Sequence, residues 1–169
     1  MFRFRQAACG AIVMTFVSLG GAFAADSTIN VTLWDKGDMN AAMGREDGKL
    51  GMGMGMMMAD PMMAPMGVKL DVATVPAGNV TFNVTNDSLI MEHEMIVLPI
   101  VDDKTPLPYD AKTKRVDEDA AGALGEVSET ASGKSGTLTL DLAPGKYMLL
   151  CNIEGHYAQG MWTILTVTE

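Results

Sequence analysis

Three separated segments of the chain alternate apolar and polar side chains, and this alternation constrains the fold more than any other feature. The segments are residues 29–33 (INVTL), 80–84 (VTFNV) and 138–142 (LTLDL). A period of two places every second side chain on the same face of a strand, so each segment predicts a strand with one buried face. The sequence shows no sustained helical period. The pattern therefore predicts an all-β sandwich.

Apolar runs and turn residues extend this prediction along the chain. Turns are predicted at residues 76–78 and 144–145, where proline and glycine occur together. Residues 102–134 are polar and long for a sandwich connection, and we predict one short helix around residues 117–124. The five acidic residues between positions 117 and 129 predict a solvated face. Four further strands are predicted at residues 68–74, 95–101, 147–151 and 162–168.

A cysteine, a histidine and a methionine follow one another at equal intervals near the C-terminus. Four residues separate Cys151 from His156, and four separate His156 from Met161. A type 1 copper site uses two imidazole nitrogens, one thiolate and a weak axial thioether, and one tight turn can supply three of these ligands. The other histidine of the chain, His93, lies 58 residues before Cys151, beside the apolar run at residues 95–98. These four residues form a candidate copper-ligand set.

Each of these residue types has a simpler explanation when it is considered alone. A single cysteine is usually a small buried hydrophobe, a single methionine usually fills a core, and a single histidine is usually a hydrogen-bonded polar residue. Their joint occurrence in one loop, with the second histidine beside a predicted strand, favours copper binding over the three separate explanations.

The pattern C-x4-H-x4-M resembles the ligand loop of the cupredoxins, the blue copper proteins, and its spacing is most similar to the rusticyanin and sulfocyanin branch. The resemblance covers about residues 67–169. It implies a Greek-key β-sandwich that holds one type 1 copper ion and transports one electron. It also implies that His93 and His156 are the imidazole ligands, Cys151 the thiolate ligand and Met161 the axial ligand.

The resemblance extends to the residues beside these ligands, with one departure. In the cupredoxins the histidine of the C-terminal loop reaches the surface through an apolar patch and passes the electron, which implies this role for His156. Family members commonly carry asparagine or serine after the first histidine, where this chain has Glu94. A carboxylate so close to a metal is expected to lower the reduction potential or link it to protonation, so the resemblance leaves the potential open.

The N-terminal residues have the pattern of a secretory signal peptide. Arg3 and Arg5 precede an apolar run at residues 7–19 and a small-residue site at residues 22–24. We predict that residues 1–24 are removed and that residues 25–169 form one periplasmic domain. An uncleaved membrane anchor is the alternative, but the apolar run has 13 residues, whereas a membrane-spanning helix needs about 20. Cleavage is therefore favoured, and no membrane insertion is expected after it.

Cleavage of this signal changes the cysteine content and the charge. Cys9 is lost, which leaves Cys151 as an unpaired thiol in an oxidising compartment and favours its ligation by a metal. Loss of Arg3 and Arg5 leaves 10 basic and 21 acidic residues, a formal charge of −11. Such a surface excludes nucleic acid as a partner. It either steers a basic redox protein, such as a cytochrome or an oxidase, or serves solubility alone.

A methionine-rich tract follows the first predicted strand. Residues 51–66 contain eight methionines, and their glycines and prolines prevent a stable helix or strand, so we predict an insertion at about residues 39–66 between the first two strands. Thioethers select Cu(I), which makes the tract a candidate accessory copper site; a docking surface and compositional drift are the alternatives. The candidate Cu(I) ligands are Met52, Met54, Met56, Met57, Met58, Met62, Met63 and Met66, with Met39 and Met43 just upstream.

Three functional classes follow from these features. The complete ligand set favours a one-electron carrier. The methionine tract favours, as the alternative, a periplasmic copper chaperone or tolerance factor that exchanges copper with a transporter. An enzyme such as a multicopper oxidase or nitrite reductase needs additional histidines, and the chain has two in total, so the sequence predicts no enzymatic activity.

Overall fold

A computed structural model describes residues 26–37, 64–102 and 105–169. Within these ranges the helical structure is limited to one α-helical turn, α1 (Glu118–Ala121), and one 3-10 turn (Tyr157–Gln159). In the same ranges no helix is long and apolar enough to cross a membrane. The strands in chain order are β1 (Ser27–Asp35), β2 (Met66–Leu70), β3 (Thr74–Pro76), β4 (Gly78–Asn86), β5 (His93–Ile100), β6 (Tyr109–Asp110), β7 (Arg115–Val116), β8 (Gly125–Thr130), β9 (Ser135–Leu142), β10 (Gly145–Leu150) and β11 (Trp162–Thr168).

Two mixed sheets form the body of the molecule. The first has the strand order β2-β1-β4-β9 and the second has the order β3-β11-β10-β5-β8. Strand β1 is parallel to β4, and β3 is parallel to β11, whereas the other neighbours in both sheets are antiparallel. Strands β6 and β7 form a separate ribbon. The predicted all-β sandwich is confirmed.

The main core lies between the two sheets. Alternate residues of β4, namely Val80, Phe82 and Val84, are fully buried, while the residues between them face outward. Their neighbours on β1 alternate in the same way, because the side chains of a strand point to opposite faces in turn. Cys151 and Met161 belong to this same buried cluster. The candidate ligand loop is therefore anchored in the main core.

A second buried cluster covers the outer face of the second sheet. Residues 94–98 of β5 are all buried. The segment that connects β5 to β8 packs over the face of the sheet that would otherwise meet solvent. A strand that is buried on both faces has a continuous apolar run instead of alternating apolar and polar residues. Residues 95–98 form such a run. The members of this cluster and the residues packed against it include Ile96, Leu98, Val116, Met148, Leu150, Tyr157, Leu107 and Tyr109.

The structure corrects the prediction of a single strand at residues 68–74. Strand β2 ends at Leu70, and the carboxylate of Asp71 accepts hydrogen bonds from the backbone N–H and the side-chain amide of Asn30 at 2.9 and 2.7 Å. The chain turns here and β3 joins the other sheet. The apolar pattern continues through this turn, which is why the sequence suggested one strand.

The connection at residues 102–134 contains more structure than the sequence predicted. Strand β8 pairs with β5, but only Val127 and Thr130 of its six residues are buried, so its sequence has little alternation. The predicted short helix is one turn long, because Gly122 takes a left-handed conformation with φ of 73° directly after it. The predicted acidic face is also not only solvated, because the Glu118 carboxylate accepts a 2.9 Å hydrogen bond from the Asn152 side chain.

The predicted signal peptide and most of the methionine tract lie outside the described residues. Of the candidate Cu(I) ligands, only Met66 is described, and it begins β2 with its side chain in the main core. Met66 is therefore a core residue of the sandwich, and the insertion ends before it. The other seven tract methionines, together with Met39 and Met43, lie outside the described residues.

Candidate metal centre

Three strand ends of the second sheet meet at the candidate site. His93 begins β5, Cys151 follows the end of β10, and Met161 immediately precedes β11. Because β10 lies between β5 and β11, these residues are neighbours across the sheet. His156 lies in the loop that joins β10 to β11, at the start of the 3-10 turn.

The nitrogen and sulfur donors of His93, Cys151 and His156 converge within 4.8 Å of one another, and all three residues are buried. The Nδ1 atoms of the two histidines are 3.3 Å apart. The Cys151 Sγ atom lies 3.3 Å from Nδ1 of His156 and 4.0 Å from Nδ1 of His93. Ligands that share one ion at bond lengths of about 2.0–2.3 Å are separated by about this much, so the donor set fits a copper ion.

Met161, the predicted axial ligand, closes the loop that carries Cys151 and His156. Its carbonyl oxygen accepts a 3.0 Å hydrogen bond from the Cys151 N–H, and its own N–H donates to the His156 carbonyl at 3.1 Å. Gly160, with φ of 93°, makes the left-handed turn that directs the chain into Met161. The side chain is fully buried in the cluster that contains Cys151.

Asn152 braces the start of this loop against β7. Its side-chain oxygen accepts from the Val116 N–H at 2.7 Å, and its amide nitrogen donates to the Val116 carbonyl at 2.9 Å. These are the bonds that a neighbouring strand would make. The connection over the outer face therefore also fixes the ligand loop, which keeps the donors in one arrangement.

Burial keeps the metal-free donors uncharged near neutral pH. It raises the pKa of the Cys151 thiol to about 12, although the Glu94 N–H, 3.4 Å from Sγ, acts in the opposite direction. It lowers the pKa of His156 to about 4, and the neighbouring His93 adds to this effect. It also lowers the pKa of His93. A bound cation would offset the cost of forming a thiolate in this buried position.

Asp35 lies directly behind the candidate ligand His93, which no feature of the sequence indicated. It ends β1, and its Oδ2 atom lies 3.1 Å from Nε2 of His93, with both side chains almost completely buried. Burial alone would raise the pKa of Asp35, but hydrogen bonds from Ser88 and His93 outweigh it and lower the pKa. Its position gave no local signal, because an acidic residue at a strand end is usually exposed.

Glu94, the departure from the family pattern, contributes its backbone to the site. Its N–H faces the Cys151 sulfur, whereas its carboxylate is not among the three converging donors. Burial and, next, the negative charge of Glu129 raise the pKa of Glu94 to about 7. Among the described residues its Oε1 atom has no hydrogen-bond partner.

Exposed apolar side chains lie beside His156, together with polar ones. His156 is 8% exposed and shares a shallow depression with Ile90, which is 63% exposed. Leu89, next to Ile90, is 88% exposed. The rest of the depression is lined by Met91, Glu92, Ala131, Ser132 and Ile153.

Comparison with known protein families shows which family the chain belongs to. The model of the sulfocyanin (SoxE) domain matches residues 69–169, which include all four predicted ligands. The chain belongs to the sulfocyanin family. The predicted membership of the cupredoxins, in the rusticyanin and sulfocyanin branch, is confirmed. For this sulfocyanin-family chain, a search of curated proteins found no significant match.

Solved structures agree with this sulfocyanin-family fold. Reduced rusticyanin aligns with a TM-score of 0.53 and 16% identity, over 85% of this chain and 79% of that chain. Rusticyanin from Thiobacillus ferrooxidans gives a TM-score of 0.52 and 16% identity, over 85% and 77%. Auracyanin from Roseiflexus castenholzii is 25% identical over 59% of this chain and 87% of that chain, with a TM-score of 0.44. The rusticyanin alignments show a shared fold, and family and fold together support a cupredoxin-like electron carrier that binds copper.

Proposed function

We propose that this chain is a periplasmic type 1 copper protein that carries one electron between redox proteins. The observation that supports this most directly is the convergence of the His93, Cys151 and His156 donors within 4.8 Å. When bound, copper supplies a one-electron couple between Cu(II) and Cu(I). His93, Cys151 and His156 would hold the ion, and Met161 would supply a weak thioether ligand.

The protein's own contribution is to hold the donor atoms in fixed positions and to exclude water from them. The three donors are buried, and the loop that carries two of them is closed by Met161 and braced by Asn152. Cu(II) and Cu(I) prefer different geometries, so a frame that holds one arrangement keeps the reorganisation during electron transfer small. The periplasmic location is supported by the sequence pattern of residues 1–24.

The surface around His156, with its exposed apolar side chains, is the proposed site of electron exit. A partner that covers Ile90 and Leu89 would approach the imidazole edge of His156 directly. Exposed apolar side chains in a cluster are typical of protein contact surfaces. The partner fitting this surface and the acidic chain is a basic redox protein such as a cytochrome or an oxidase.

Electron transfer from the reduced, copper-loaded protein to a basic c-type cytochrome tests this function. We expect rapid transfer, and we expect Ile90→Glu to slow it by about tenfold, because loss of the apolar contact and desolvation of the new carboxylate outweigh its attraction to the basic partner. Val72→Glu is the matched control: Val72 is also an exposed apolar residue, but it lies by β3, at the opposite end of β11 from the metal centre. Stopped-flow absorbance gives both rates.

The two variants carry the same added charge, so their difference isolates the surface beside His156 from the long-range field. Equal rates for Ile90→Glu and Val72→Glu would place the docking surface elsewhere. A wild-type protein that takes up copper but exchanges no electrons with any redox protein would contradict the carrier function.

Copper binding is expected to release at least one proton at about pH 7, from the Cys151 thiol. The thiol is protonated in the metal-free protein because burial raises the pKa of Cys151 to about 12, and a metal-bound thiolate must lose this proton. The imidazoles release none there, because burial lowers their pKa values and they are already neutral. Apparent Cu(II) affinity should therefore rise about tenfold per pH unit above neutrality. A pH indicator in weak buffer measures the release, and uptake without any release would show that the thiol is not a ligand.

The alternative function, a copper chaperone or tolerance factor working with a copper transporter, still depends on the sequence alone. Its seven remaining candidate methionines lie outside the described residues, and Met66 is in the core. A Cu(I) titration distinguishes the two, since accessory thioethers would take up more than one equivalent.

A further inference from the structure

His93 has its two ring nitrogens in different surroundings. Nε2 lies 3.1 Å from the Asp35 carboxylate, whereas Nδ1 faces the other donors, 3.3 Å from Nδ1 of His156. A neutral imidazole carries one N–H, and an ionised carboxylate can only accept. The hydrogen atom is therefore on Nε2, which leaves the Nδ1 lone pair directed into the metal centre.

Asp35 is itself held in place by several contacts. Its Oδ1 atom accepts a 2.6 Å hydrogen bond from the Gly37 N–H, and Ser88 hydrogen-bonds to the carboxylate. The Ser88 Oγ atom also accepts from the backbone N–H groups of Ile90 and Met91 at 3.2 and 2.8 Å. One network thus ties the end of β1 to the segment that leads into His93.

The pair is almost completely buried, with side-chain exposures of 0% for His93 and 1% for Asp35. Water therefore screens the carboxylate charge weakly. A carboxylate behind a metal-bound imidazole fixes the ring orientation and increases its basicity. A fixed negative charge also favours the more positive of two oxidation states.

We propose that Asp35 is the positioning residue of the metal centre, fixing the coordinating tautomer of His93 and lowering the reduction potential by stabilising Cu(II) over Cu(I). This inference rests on the proposed copper function and adds to it a residue from a strand remote from the ligand loop. It accounts for a buried carboxylate that is hydrogen-bonded to Gly37, Ser88 and His93.

The variant Asp35→Asn tests the charge, because asparagine has nearly the same shape and can still accept from Nε2. We expect Cu(II) affinity to fall by about 10- to 100-fold and Cu(I) affinity to fall less. Each tenfold difference between the two corresponds to a potential higher by about 59 mV. The control is Asp71→Asn, which removes a carboxylate that is hydrogen-bonded to Asn30 in the turn after β2.

Voltammetry and chelator competition give the potential and the affinities. A raised potential in Asp35→Asn, with wild-type values in Asp71→Asn, supports the proposal. Potentials and affinities in Asp35→Asn equal to the wild type would overturn it. If the wild-type protein itself bound no Cu(II), the copper function would fail, which is a different result from an unaltered variant.

A measurement on the metal-free wild-type protein needs neither copper nor a variant that folds. The nitrogen-15 chemical shifts of the His93 ring distinguish the two neutral tautomers, and we expect the proton on Nε2. A proton on Nδ1 would overturn the proposed role of Asp35, whatever the metal affinity of the protein.

Discussion

Replacing Cys151 with serine is expected to abolish the intense visible absorption of the Cu(II)-loaded protein and to lower its Cu(II) affinity by more than about a hundredfold. The absorption arises from charge transfer between a thiolate and copper, and Cys151 is the one free cysteine among the described residues. A hydroxyl is a poor ligand that stays protonated at neutral pH. Serine is close in size, so the buried position should tolerate it. Absorption spectra during a Cu(II) titration measure both effects.

Met148→Leu is the matched control for this substitution. Met148 is also a buried sulfur-containing residue on the strand that leads into Cys151, but it packs in the second cluster, on the outer face of the sheet. Its replacement should leave the colour and the stoichiometry of one copper unchanged. An intense band that survived in Cys151→Ser would mean that Cys151 is not the thiolate ligand.

Replacing Phe82 with alanine is expected to lower the free energy of unfolding by about 3–5 kcal/mol. Phe82 is fully buried at the centre of β4, between Ile29 of β1 and Leu138 of β9. Its removal leaves a cavity in the main core that the surrounding strands cannot fill. Chemical denaturation of the metal-free protein, followed by tryptophan fluorescence, measures the loss.

Asn83→Ala provides the comparison, because Asn83 is the next residue of β4 but is exposed on the opposite face. Its expected cost is below about 1 kcal/mol. If copper binds only the folded state, free copper at about 100 times the dissociation constant should raise the free energy of unfolding of either variant by about 2.7 kcal/mol. Equal destabilisation by both substitutions would show that the space between the sheets is not the main core.

Much of the fold was predictable because its strands have one buried face. Residues 29–33, 80–84 and 138–142 lie within β1, β4 and β9, and β11 has the predicted bounds. Strand β8 was not predictable, since an edge strand with few buried residues needs little alternation. Local patterns also cannot show that β2 and β3 belong to different sheets, because the change of sheet depends on distant partners.

Some residues of the site could be recognised from local sequence spacing, whereas others depend on contacts between distant parts of the chain. The spacing of Cys151, His156 and Met161 is local, so the sequence alone was sufficient to group them. His93 was found because the chain has one other histidine. Asp35 offered neither kind of signal: it lies 58 residues before His93, at the end of a strand of the other sheet, so only the packing of the two sheets brings it near. The raised pKa of Glu94 likewise depends in part on acidic residues that are distant in sequence, in β8 and α1.

The separations along the chain have a consequence for how the molecule forms. Asp35 and His93 are 58 residues apart, and His93 and Cys151 are another 58 residues apart. Joining such distant segments costs chain entropy and slows folding, so the complete arrangement is expected only once β1, β5 and β10 have come together. A chain that is still unfolded therefore has a free thiol but no metal centre. Copper uptake by this protein distinguishes completed molecules from those that are still folding.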